Sequence, residues 1–196
     1  MANHLRPLLP IIISPEQAGF VEGRQILDGV ILVHEVIHSL KRTRQLRMLI
    51  NLDIEKAYDK LSWQFMGRML EVYGFCHGWV ERVMSLVTTP FFNILLNGSP
   101  THVFQPSHGI RQGDPLSPFL FILMAEGLSR LILTQAERGE LRGLRIHDGM
   151  TPQTHQQFVD DTMLMGHPLV QEAQSFKNSL NLFAKALGLD VNLNKS

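Results

Sequence analysis

Apolar residues recur along this chain at two periods, and the switches between them outline its elements. From Ile26 to about Arg42, the residues Ile26, Val30, Val33, Ile37 and Leu40 repeat at helical spacing, which predicts one amphipathic helix. Basic residues follow at its end (Lys41, Arg42, Arg44), where they suit the helix dipole. The run RMLINLDI, Arg47 to Ile54, predicts a mostly apolar strand with Asp53 near its close. Helical patterns return at about Trp63–Tyr73 and His77–Val87. Phe92–Leu96 and Thr101–Gln105 are β-rich and flank Asn97-Gly98, a strong hairpin dipeptide, with Ser99 and Pro100 expected to lengthen the loop. Gly109–Pro118 reads as a loop opening a long apolar helix from about Ser117 to Glu137, with Ser117 as its expected cap and Pro118 in its first turn. HQQFVDDTMLMG (His155–Gly166) predicts a second hairpin, and a helix from about Gln171 to Leu187 ends at Gly188, before the start of a strand at Leu189–Leu193. Leu8 to Gly23, with Pro10, Pro15, Gly19 and Gly23, reads as a loop. Hairpins without regular βα alternation predict an α+β domain whose antiparallel sheet carries helices on one face and leaves the other open to substrate.

Composition narrows this picture only slightly. The 196 residues, 44% hydrophobic and 18% charged, fit one folded globular domain. A single cysteine, Cys76, excludes an internal disulfide and suits a reducing compartment. No run approaches the roughly 20 apolar residues that span a bilayer, so no membrane partner is expected. The start lacks the charged-then-apolar layout of a signal peptide. Eighteen Lys and Arg balance eighteen Asp and Glu, which argues mildly against a nucleic-acid binder. Specific residues must therefore carry any such function.

Carboxylates supply them. Asp53 ends an apolar strand, and Asp160-Asp161 interrupts the apolar run from Phe158 to Met165. Acids in such settings are costly unless paired or bound to metal, and two adjacent aspartates repel each other. Three carboxylates gathered from two strands would form a hard oxygen site suited to Mg²⁺. The competing reading is a polar hairpin turn, which Asp favours. A second motif, His34-Glu35-Val36-Ile37-His38, fits HExxH, the zinc-peptidase pattern, because i and i+4 histidines share a helix face. Glu55 is its one tempting third ligand downstream, and two polar residues bordering an amphipathic helix explain the pattern as well.

The motif order resembles the reverse transcriptases of non-long-terminal-repeat, LINE-type retrotransposons, plant elements especially. QAGFVEGR (Gln17–Arg24) resembles their fingers segment and LDIEKAYD (Leu52–Asp59) their first palm motif. NGSP and GIRQGDPLSPFLF (Asn97–Phe121) resemble the hairpin and the QG-x₃-SP motif, FVDD (Phe158–Asp161) the catalytic hairpin, and LGLDVNLNKS (Leu187–Ser196) a fourth motif. The resemblance implies a polymerase palm with partial fingers: about 1–46 fingers, about 47–196 palm, and a fingers-side insertion near 88–108.

It also implies roles. Asp53, Asp160 and Asp161 would be catalytic acids holding two Mg²⁺, or Mn²⁺ in their place, with the Ile54 carbonyl as a backbone ligand. The amides of Lys56 and Ala57 would face the incoming triphosphate. Tyr58 would lie under the sugar and exclude a 2′-hydroxyl; a core aromatic is the alternative. Gln112 and Gly113 would contact the nucleotide, and Lys195 would protonate pyrophosphate. Partners would be an RNA template, a DNA primer and deoxynucleoside triphosphates, with a nuclear location by family analogy.

Val159 stands where the family usually has alanine or another small or apolar residue, a conservative exchange. Arg24 reads as a contact to template or triphosphate, or as a solvated loop arginine. The resemblance further implies a fragment: the family's upstream fingers strand would precede Met1, and no thumb follows Ser196. The expected activity is RNA-directed DNA polymerisation. The alternative is an inactive relic or domesticated palm that binds RNA or a partner, and zinc peptidase chemistry is a remote one.

Overall fold

The computed structural model describes residues 1–43, 46–54, 56–145 and 149–188, with the backbone alone at Thr43 and Asp53. Two short helices, α1 (Ala2–Leu5) and α2 (Leu9–Ile12), joined by a 3₁₀ turn, precede α3 (Ile26–Thr43) and β1 (Met48–Asp53). Then come α4 (Ala57–Lys60), α5 (Trp63–Val72), α6 (His77–Thr88), and the small hairpin β2 (Leu95–Leu96) and β3 (Ser99–Pro100). The long α7 (Ser117–Glu137), the hairpin β4 (His155–Phe158) and β5 (Asp161–Gly166), and α8 (Val170–Leu187) complete the described order. The strand expected at Leu189–Leu193 lies outside the described residues.

The three main strands form an antiparallel sheet in the order β1-β5-β4. Strand alternation sorts their side chains. Ile50, Leu52 and Leu164 pack into the main core with α5, α7 and α8, the helical layer expected from sequence. Leu49, Met163 and Met165 face the other way and meet Val33, Val36 and Leu40 of α3. Thus α3 covers part of the face expected to be open. The reason is in β1 and β5 themselves: strands apolar on both faces must be covered on both. Asn51 and Asp161 stay exposed.

Helix α7 is wrapped so fully that every residue from Phe119 to Glu126 is buried. Its length and hydropathy would suffice to cross a membrane, contrary to the sequence estimate, yet most of it is buried inside the fold, as in a core helix.

Three local expectations are corrected. Leu8 to Gly23 is not all loop: Leu5 and Leu9, four apart, are fully buried on α1 and α2. Pro7 and Pro10 fall in first-turn positions, where the missing N–H costs nothing. The small hairpin has a two-residue loop, because Leu96 pairs directly with Ser99. Asn97 and Gly98 both take positive φ, 49° and 80°, the I′ geometry, so Ser99 and Pro100 belong to the strand. Ser117 does not cap α7; Leu116 is the cap residue, and Asp114 Oδ1 accepts its N–H at 2.8 Å.

The segment after α2 is fastened by two charged side chains. Buried Glu126 accepts from the Ser14 amide at 2.9 Å and hydroxyl at 2.8 Å, and pairs with Arg130. Arg24 donates to the carbonyls of Ile13 (2.8 Å), Ser14 and Gln17 (2.9 Å). It is neither a free template contact nor a solvated arginine; it clips its own loop shut.

Candidate active site

The β1–β5 register runs from Met48 opposite Gly166 to Asp53 opposite Asp161. Directly opposed Cα atoms of an antiparallel pair lie about 4.5–5.5 Å apart. Backbone pairing alone therefore sets Asp53 across from Asp161, beside Asp160 in the β4–β5 turn. Asp161 is exposed and Asp160 half-buried. Among the described residues no group of three His, Cys, Asp or Glu side chains clusters to hold a metal; the Asp53 side chain lies outside them. As a donor set, three carboxylates are hard and anionic, and fit a small hard dication.

The turn itself is strained. Phe158 pairs with Asp161, leaving Val159 and Asp160 as a two-residue loop. Val159 takes φ 63°. A positive φ at the first central position marks a II′ turn, which prefers glycine. A β-branched residue there is a genuine outlier. Valine in place of a smaller residue is thus not the conservative exchange the letters suggest.

Beyond β1 the chain turns sharply. Lys56, exposed, adopts a left-handed φ of 55° and starts α4. The Ala57 N–H donates to the Ile54 carbonyl at 3.1 Å. That amide was expected to face a triphosphate; here it closes the turn. The Ile54 carbonyl keeps a second lone pair.

Tyr58 is half-buried, its ring stacked on Phe121 with centroids 4.7 Å apart and planes 14° from parallel. Burial, then the charge of Asp160, pushes its hydroxyl up to about 12, so it stays protonated near neutral pH. Core packing and site lining are both true of this ring. It borders an open cleft of about 470 Å³ lined also by Gln112, Gly113, Asp114, Pro115 and Pro118.

The far wall of that cleft is tied to the segment after Tyr58. Ile110 N donates to Tyr58 O and Gly109 N to Leu61 O, each at 2.8 Å, and Trp63 Nε1 donates to Gly109 O at 2.6 Å. Gly109 takes φ 86°, and a Cβ there would meet the Asp59 carbonyl oxygen at 2.5 Å. Gln112 Nε2 donates to Asp59 Oδ1 at 3.3 Å. Gly113, at φ 84°, faces open space. Lys195 lies outside the described residues.

The HExxH histidines stand elsewhere. His34, Glu35 and His38 are all exposed on α3, while Val36 between them is buried. Glu55 lies outside the described residues.

Sequence reading missed three residues that shape this region: Gly109, Asp59 and Gln17. Gly109 carried a signal, since an isolated loop glycine often marks a close backbone approach. Asp59 and Gln17 stood at the ends of the motifs LDIEKAYD and QAGFVEGR, with no signal of a role of their own.

The family profile described as "Reverse transcriptase (RNA-dependent DNA polymerase)" matches residues 1–196. The transposon TX1 uncharacterized 149 kDa protein of Xenopus laevis is 28% identical over 98% of this chain and 14% of its own length. The Pol polyprotein of the type-2 retrotransposable element R2DM of Drosophila melanogaster is 29% identical over 93% of this chain and 16% of its own length. The chain thus spans about a sixth or less of these two relatives. In fold it is similar to the telomerase of Candida albicans solved with a fragment of telomeric RNA, with a TM-score of 0.69 at 13% identity, over 99% of this chain and 34% of that one.

Proposed function

The chain belongs to the reverse transcriptase family, and from that premise we propose that it is the polymerising core of a retrotransposon enzyme that copies RNA into DNA. The observation that carries this reading is the β1–β5 register, which sets Asp53 opposite Asp161 next to Asp160, beside a cleft bordered by Tyr58. Residues about 1–46 act as partial fingers and about 47–196 as palm, with the exposed hairpin region near 88–108 inserted on the fingers side.

Held by Asp53, Asp160, Asp161 and the Ile54 carbonyl, two Mg²⁺ ions would supply the charge that eases ionisation of a primer 3′-hydroxyl and steadies the departing pyrophosphate; Mn²⁺ would substitute. The chain's own residues do the positioning. The Tyr58 ring, braced by Phe121, forms a flat floor for the sugar and leaves no room for a 2′-hydroxyl. Gln112, anchored to Asp59, and Gly113, without a side chain, let the nucleotide approach the loop backbone. Lys56 presents its amide to the triphosphate, and Lys195 serves as proton donor to pyrophosphate. The Ala57 amide, engaged with Ile54, is left out of this scheme. Template sequence is read by base pairing, so the protein need only hold the RNA–DNA duplex by shape and phosphate contacts.

Primer extension on a homopolymer RNA template with Mg²⁺ and deoxynucleotides tests the reading. Asp160→Asn is expected to lower the rate at least about a hundredfold, as loss of several kcal/mol of charge stabilisation implies. No extension from a folded preparation would instead indicate an inactive palm.

A further inference from the structure

Gln17 is fully buried, yet its side chain reaches across 142 residues of sequence to the turn that carries Asp160. Its Oε1 accepts from the Val159 amide at 3.0 Å and the Gly19 amide at 2.9 Å, while its Nε2 donates to the Val159 carbonyl at 3.3 Å. One side-chain amide thus grips both peptide groups of the single turn residue held at positive φ. The backbone around Gln17 is docked as well. Ala18 N donates to Gln157 O at 3.0 Å, Gln157 N to Glu16 O at 2.8 Å, and Gln156 Nε2 to Glu16 O at 2.7 Å. Gly19 completes the fit: a Cβ on it would lie 2.5 Å from Val159 Cγ2.

We infer that Gln17 is a positioning residue for the metal-binding carboxylate Asp160, acting through the Val159 peptide. A valine does not hold φ 63° unaided, because backbone sterics favour other regions. Strain of this kind persists only where the surroundings over-determine it. The surroundings here are the two ends of one amide, and the residue they fix immediately precedes Asp160. When the grip is lost the turn relaxes, and Asp160 is no longer held in place beside the backbone pair of Asp53 and Asp161. The inference rests on the metal-dependent reading above.

Mn²⁺ binding to the full chain, followed by electron paramagnetic resonance, tests it without requiring turnover. Thermal melts report folding alongside. Asp160→Asn is the control for the site. Gln17→Ala is expected to weaken Mn²⁺ binding about tenfold or more, the range for groups that orient a metal ligand. Adding Val159→Gly should restore most of that affinity, since glycine takes positive φ freely. A Gln17→Ala chain that melts earlier yet binds Mn²⁺ as the parent does would overturn the inference and leave Gln17 a packing residue.

If Gln17→Ala does not fold, Gly19→Ala presses on the same turn through Val159. Weakened binding, relieved by Val159→Ala, supports the inference, and unchanged binding overturns it. Should the parent bind no Mn²⁺, or Asp160→Asn bind as the parent does, the metal reading itself fails and the inference falls with it.

Discussion

At the scale of single residues, the site depends on backbone conformations that side-chain chemistry conceals. Gly109 is the sharpest case, since any Cβ would collide with a carbonyl oxygen while adopting an unfavourable φ. Gly109→Ala is expected to cost about 1–3 kcal/mol in urea unfolding, the range for forced backbone strain. The variant should also loosen Gln112, which hangs from the same loop. Tyr58 makes the opposite point, because in the proposed role its ring and not its hydroxyl would do the positioning. Tyr58→Val should raise ribonucleotide use relative to deoxyribonucleotide use by roughly 10–100-fold, the discrimination one removed steric contact supports. Tyr58→Phe keeps the stack on Phe121 and should leave the ratio unchanged. Single-nucleotide incorporation measures both; equal ratios for Val and Phe would remove Tyr58 from sugar selection. The resemblance of the motif LDIEKAYD made Tyr58 a candidate. Only packing showed what braces it.

Among the elements, the join between α7 and β4 is a buried polar network. The Ser129 hydroxyl lies 2.8 Å from His155 Nε2 and donates to Gln157 Oε1 at 3.0 Å, and the Thr154 hydroxyl lies 3.0 Å from His155 Nδ1. Burial lowers the His155 pKa from 6.5 to about 4. The sign is fixed by where the proton binds. Between those values the unfolded chain takes up a proton that the folded chain refuses. Stability from this group is therefore complete above pH 6.5 and falls as pH drops through the window toward 4, by on the order of 3 kcal/mol at most. Urea midpoints measured across that range should show the slope, and His155→Leu should flatten it. An unchanged slope in the variant would assign it to other groups. The hairpin of β2 and β3 contrasts with this join: Leu95 and Leu96 are exposed, so its turn chemistry, not burial, holds it. For that reason the dipeptide Asn97-Gly98 was legible from sequence, while the partners of His155 were not.

For the molecule as a whole, charge and topology act separately. Eighteen basic and eighteen acidic residues leave no net electrostatic pull on phosphate. The isolated chain should bind a primer–template duplex no tighter than the 10⁻⁴–10⁻⁶ M typical of non-specific contacts, with a log–log salt slope of no more than about three. Fluorescence anisotropy at several salt concentrations measures this, and a slope near ten would require a basic face that the balance of charges does not suggest. Topology, by contrast, creates the site from distant segments. The sequence by itself determined the helices α3, α5, α6, α7 and α8 and both hairpins, and offered three acids as candidates, because periodicity, turn dipeptides and motif order are local properties. It could not determine that α3 covers part of the second face of the sheet, that Arg24 closes its own loop, or that Gln17 grips the turn that carries Asp160. Those outcomes depend on which surfaces meet after the chain has folded, and a polar residue's partner is not written beside it.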